Sequence, residues 1–176
     1  MVITLIGYRG SGKSSVARYL AQALDMSWVD SDDLIEERAG KSIREIFADD
    51  GEAEFRRLEC EVIAELTSRP SLIIAAGGGA ILAEENRLQM KASGPVVWLQ
   101  ARAATLADRI EQDAATEDRR PSLTGQSVTE EVVAVLRQRL PDYQDAATNT
   151  IDTEGMTLEQ VTAEIVAQLA AEDDAS

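Results

Sequence analysis

The chain has 176 residues and carries 17 basic against 32 acidic side chains and no histidine, for a formal net charge of −15. That length suits one domain that buries about 70% of its unfolded surface, and the charge disfavours nucleic acid or an anionic membrane as partner. No apolar run approaches the ~18 residues of a membrane span, the N-terminus lacks a charged n-region, and the one cysteine, Cys60, cannot close an internal disulfide. The expectation is a cytoplasmic protein without a secretory signal.

In chain order, the apolar run Val2 to Ile6 predicts a buried strand, and residues 16–24 predict a helix. Between them stands Gly7-Tyr8-Arg9-Gly10-Ser11-Gly12-Lys13-Ser14, which fits G-x-x-x-x-G-K-[ST]. A strand, a glycine turn and a helix N-terminus make a nest of backbone N–H groups suited to a polyphosphate. Lys13 then reaches the β- and γ-phosphates, and the Ser14 hydroxyl ligates Mg²⁺. Gly10, Ser11, Gly12, Lys13, Ser14 and Ser15 form the candidate nucleotide-binding run.

A second strand is expected over 27–30, ending in Asp30-Ser31-Asp32. If the chain stays extended there, the two carboxylates point the same way, towards the ligand edge of an open α/β sheet. One would hold Mg²⁺ while the other bonds acceptor hydroxyls or takes a proton. A helix over 33–39 is expected to be capped by Asp32 or Asp33.

A helix over 52–67 places Phe55, Leu58, Val62, Ile63 and Leu66 on one stripe. Arg56 and Glu59 are three apart and share a face. Glu59 can therefore orient Arg56, and the plainer reading of the pair taken alone is a solvated ion pair of little worth. Strand 71–76 runs into Gly77-Gly78-Gly79, where backbone N–H groups can approach a ligand closely. A further strand is expected at 96–99. The polar stretch 111–125, which carries Arg119 and Arg120, has no periodicity and reads as a lid.

Arg137 to Tyr143 fall late in a helix, and a fifth strand is expected near 148–152. Ser127 with Glu130 and Thr157 with Gln160 have capping-box spacing. The last helix turns Leu158, Val161, Ile165 and Leu169 inward, and residues 171–176 form an acidic tail expected to be disordered. Alternating strands and helices predict an α/β fold with a parallel sheet and crossover helices.

These motifs, in this order, resemble the shikimate kinase family. The likeness rests on the phosphate loop, Asp30-Ser31-Asp32, the stretch from Gly40 to Phe47, and Gly51-Glu52 leading into Glu54 to Glu59. It continues through Gly77-Gly78-Gly79, Arg119-Arg120-Pro121 and Arg139-Leu140-Pro141-Asp142-Tyr143. It implies a P-loop kinase three-layer sandwich with a five-stranded parallel sheet in the order 2-3-1-4-5. It implies one domain over 1–170, with a lid near 111–125 and an acceptor region near 32–60. ATP and Mg²⁺ are the implied cofactors and shikimate the implied small-molecule partner of a monomeric enzyme.

Residue by residue, the resemblance assigns the shikimate carboxylate to Arg56, Arg139 and the Gly78 backbone, flanked by Gly77 and Gly79, and the ring hydroxyls to Asp32. Ser14 and Asp30 would serve the metal, Arg120 the transferring phosphate, and Arg109 the adenine. Lys13, Asp32 and Arg120 form the implied catalytic set. The alternatives are another small-molecule or nucleoside-monophosphate kinase, or a non-catalytic nucleotide switch. An Asn-Lys-x-Asp guanine signature does not occur in the sequence.

Overall fold

The computed structural model describes residues 1–112 and 128–173. Five parallel strands, β1 (Val2–Ile6), β2 (Trp28–Asp30), β3 (Leu72–Ala75), β4 (Val96–Gln100) and β5 (Asn149–Asp152), form one sheet in the order β2-β3-β1-β4-β5. Asp30 lies beside Ala75, and Ala75 beside Leu5. The carboxyl ends of the three neighbouring strands therefore finish at one level.

Side chains alternate along each strand, and the alternation separates two cores. Val2, Ile6, Leu72, Ile74, Val96 and Trp98 pack on one face. There they meet α2 (Ser31–Ala39), α4 (Glu52–Thr67), α5 (Glu84–Ser93) and α7 (Val128–Ala146). Ile3, Leu5, Ile73, Ala75, Val97, Leu99 and Ile151 pack on the other, against α1 (Lys13–Leu24) and α8 (Leu158–Asp173). The expected stripe Phe55, Leu58, Val62, Ile63 and Leu66 is buried. Short α3 (Ile43–Glu45) opens on a capping box between Ser42 and Glu45 and runs into a π-helical turn over Ile46–Asp50. A smaller cluster joins Tyr8 of the phosphate loop to Leu106, Ala107 and Ile110 of α6 (Ala103–Gln112) and to Val132.

Three expectations are corrected. The chain does not stay extended through Asp32, because α2 begins at Ser31 and Asp30 is its cap, accepting from the Asp32 N–H at 2.9 Å. Neither Asp32 nor Asp33 caps this helix; both sit in its first turn, where negative charge meets the positive end of the dipole. The last helix runs through Asp173, so Ala171 to Asp173 are helical and not part of a disordered tail. The second capping box forms as expected, with Thr157 and Gln160 exchanging side chain-to-backbone bonds. Arg119, Arg120, Ser127 and most of the expected lid lie outside the described residues, while Glu111 and Gln112 close α6.

Candidate active site

The phosphate loop closes β1 and opens α1. Gly12, in the left-handed region at φ 87°, caps α1 without a side chain in the way. Gly10 lies against α6, where a Cβ would stand 3.2 Å from the Leu106 carbonyl oxygen. Lys13 Nζ donates to the carbonyls of Gly7 at 2.9 Å and Tyr8 at 3.0 Å, which folds the ammonium back over the nest. Ser11 is buried, Ser14 is exposed and Ser15 is half-buried. Arg109 Nη1 reaches the Gly10 carbonyl at 3.3 Å, so α6 presents this guanidinium beside the loop. Arg9 of the loop pairs with the buried Glu131 of α7, the helix that packs beside α6, at 3.1 Å.

Asp30 joins this nest to the next strand. Its Oδ2 accepts from Ser14 Oγ at 2.6 Å while its Oδ1 caps α2. Burial raises its carboxyl above the ordinary range, the charges of Asp32 and Asp33 push the same way, and the Ser14 and Asp32 donors pull back. A hydroxyl and a desolvated carboxylate in contact are the hard oxygen donors that Mg²⁺ accepts. Among the described residues no three acidic, histidine or cysteine side chains cluster as a metal cage. Mg²⁺ needs no such cage, since waters and phosphate oxygens supply most of its ligands.

The glycine turn after β3 gathers the remaining groups. A Cβ at Gly77 would collide with Asp32 Oδ1, and one at Gly79 with the Arg56 guanidinium, whose Cζ stands 3.0 Å from that position. At Gly79 the contact is one of space and not of backbone conformation, since its φ is −106°, and a side chain at either glycine would push the Asp32 carboxylate or the Arg56 guanidinium aside. Arg139 Nη1 donates to the Gly78 carbonyl at 3.0 Å. Asp32, Arg56 and Arg139 thus converge on one turn, next to the strand that carries the phosphate loop. Arg56 Nη1 donates at 2.7 Å to Oε2 of Glu59, whose side chain has no exposed surface. The pair is therefore the orienting one of the two that the spacing allows, and not the solvated one.

The phosphate loop and the turn that gathers Asp32, Arg56 and Arg139 thus stand side by side at the carboxyl end of the sheet. The family model described as shikimate kinase matches residues 9–170. The chain belongs to the shikimate kinase family. As a member of that family it is an ATP-dependent kinase with the P-loop kinase fold. A protein of Rhodopirellula baltica named shikimate kinase is 48% identical over 162 residues, covering 92% of this chain and 87% of its own length. One from Symbiobacterium thermophilum is 41% identical over 169 residues, 96% of each chain. Among solved structures, shikimate kinase from Acinetobacter baumannii in complex with shikimate matches with a TM-score of 0.90. It is 34% identical, over 97% of this chain and 93% of that one.

Some contacts of the site carry little signal in the sequence. The burial of Glu59 and the seat of Gly79 against Arg56 depend on how α4 meets β3, which spacing along one helix does not report. Ser31, whose Oγ accepts from the Gly77 N–H at 2.8 Å, is separated from that partner by 46 positions. Cys60 is half-buried, and burial together with Glu85 pushes its thiol up to about 12. It stays protonated at neutral pH and takes no part in nucleophilic chemistry.

Proposed function

We propose that this shikimate kinase transfers the ATP γ-phosphate to the 3-hydroxyl of shikimate, giving shikimate 3-phosphate and ADP. The observation that carries the reading is the convergence of Asp32, Arg56 and Arg139 on the Gly77–Gly79 turn. Two guanidinium groups beside a glycine turn match a carboxylate. The single carboxylate of Asp32 beside them matches ring hydroxyls.

In a loose phosphoryl transfer the protein positions the reactants and neutralises charge. Lys13 exchanges one of its loop carbonyls for a phosphate oxygen, and Arg109 lies against the base. Asp32 aligns the attacking hydroxyl and takes its proton late. Ser14 and Asp30 hold Mg²⁺, which screens the phosphate oxygens when bound. Arg120, outside the described residues, is assigned to the transferring phosphate. The enzyme is taken to act as a cytoplasmic monomer with one domain over 1–170. Among the described residues no helix is long and apolar enough to cross a membrane.

The test is ADP release with shikimate, gluconate and AMP offered in parallel with ATP and Mg²⁺. Turnover with shikimate at a kcat/KM about 10⁴-fold or more above the other two is the expected result, the range that unpaired buried polar groups impose. Comparable turnover with gluconate or AMP overturns the assignment.

A further inference from the structure

Tyr143 has no role in the reading above, yet it is fully buried one helical turn past Arg139 and stands against the acceptor turn. Its hydroxyl donates to the Gly78 carbonyl at 3.3 Å, the same oxygen that Arg139 Nη1 reaches at 3.0 Å. Its ring lies parallel to Trp98 of β4, with centroids 5.0 Å apart and planes 5° apart. We propose that Tyr143 is a positioning residue for acceptor binding, which acts by fixing the Gly78 carbonyl and with it the Gly79 N–H of the same peptide plane. The inference rests on the carboxylate binding at this turn.

Three successive glycines have no side chains to restrain them, so the turn takes its shape from its hydrogen bonds. The Gly77 N–H is bound to Ser31 Oγ. The Gly77 carbonyl takes the Ala80 N–H and the Gly79 carbonyl takes the Leu82 N–H, each at 3.0 Å. The Gly78 carbonyl is the one held from α7. Because a trans peptide is planar, its C=O and the following N–H point in opposite directions. A carbonyl fixed towards α7 therefore aims the Gly79 N–H away from that helix.

A carbonyl oxygen has two lone pairs, and here Arg139 and Tyr143 use both. Arg139 gives one N–H to this carbonyl and has four more with which to meet a ligand. When its guanidinium turns to a carboxylate, Tyr143 keeps the peptide in place. The phenol suits this task because stacking on Trp98 leaves its ring little freedom. Packing alone would be served by phenylalanine, which carries no buried hydroxyl to satisfy.

An outer brace keeps this part of α7 at the turn. Arg87 Nη1 donates to the Ile81 carbonyl at 2.7 Å, and its Nε donates to Asp145 at 2.6 Å. It thereby ties the 3₁₀ turn Ala80–Leu82 to the helix on the far side of Tyr143. Pro141 lies between Arg139 and Tyr143 and removes one donor from the helical ladder. Cross-links to neighbouring elements thus set the local placement of the two donors.

The experiment compares the parent with Tyr143→Phe, using shikimate and its neutral methyl ester as acceptors. The variant keeps the ring and its stacking. We expect the KM for shikimate to rise about five-fold, the worth of one neutral hydrogen bond. The expected kcat, KM for ATP and Tm stay near the parent values, and the gap between the two enzymes closes with the ester. In the folded variant the Gly79 amide is expected to exchange its proton faster than in the parent. An unchanged KM for shikimate, an equal rise in the KM for ATP, or a gap that persists with the ester overturns the proposal. If the parent itself fails to phosphorylate shikimate, the functional reading fails instead.

Discussion

Glu59 is a carboxylate without exposed surface, and Arg56 is its counter-charge as well as a wall of the acceptor pocket. Arg56→Ala should therefore do two separable things. It removes a charge-assisted contact to the acceptor and raises the KM for shikimate at least about thirty-fold. It also removes the ion pair of the buried Glu59 and so lowers the Tm. Arg56→Ala combined with Glu59→Gln should recover most of the Tm and none of the KM, as read by calorimetry and initial rates. Recovery of both would make Arg56 purely structural.

Asp30 permits a similar separation. Asparagine caps helices as well as aspartate does, so Asp30→Asn keeps α2 while it removes a charge that burial disfavours. An acid whose folded pKa is raised loses stabilisation as pH rises through its ordinary value, 3.8 here. The neutral variant should accordingly be at least as stable as the parent at pH 7 without metal. The Mg²⁺ concentration for half-maximal rate should rise several-fold. A fall in Tm with an unchanged Mg²⁺ requirement would remove Asp30 from the metal site. These residues were readable from motif and spacing, whereas the depth of Glu59 and the cap on α2 were not. Spacing gives neighbourhood on a helix, and depth follows from what packs over it.

Element boundaries were legible where apolar runs end at glycine or a polar pair. β1, β3, β4 and β5 fall within one residue or so of expectation for that reason. The entry to α2 was misjudged because Asp-Ser-Asp suits extended and capping conformations equally, and only the Asp30 bond to the Asp32 N–H decides between them. The loop after β5 shows a second device of this kind. Glu154 accepts from Arg102 Nη2 at 2.7 Å, from the Arg102 N–H at 3.2 Å and from Thr105 Oγ1 at 2.8 Å. These donors lower its carboxyl from 4.5 to about 2, which latches the loop to the start of α6. An acid with a depressed folded pKa contributes stability above its unfolded value and loses it as pH falls towards the folded one. The Tm difference between the parent and Glu154→Gln should thus be fully developed at pH 6–7 and shrink as pH falls from 4.5 towards 2. A difference independent of pH would show that the latch does not depend on charge.

The sheet order brings the ends of β2, β3 and β1 side by side, so the acids, the glycine turn and the phosphate loop meet although they are distant in sequence. α/β class and strand count were readable from alternation. The order itself came from resemblance, since alternation leaves many parallel arrangements open. The net charge of −15 acts over the whole fold as self-repulsion. Its exposed ion pairs, such as Arg57 with Glu54 and Glu61, are each worth about 0–1 kcal/mol at most. Raising NaCl from about 0.05 to 0.5 M should screen the repulsion more than it weakens those pairs. The Tm is therefore expected to rise, and a fall would show that the pairs outweigh the net charge.

The tight seats at Gly77 and Gly79 also bear on redesign. Any attempt to retarget the enzyme to a different alcohol by adding bulk at this turn meets Asp32 or Arg56 before it meets the new substrate. Both contacts are to the ends of side chains, so added bulk displaces the Asp32 carboxylate or the Arg56 guanidinium, and altered selectivity comes at the expense of the groups assigned to the acceptor.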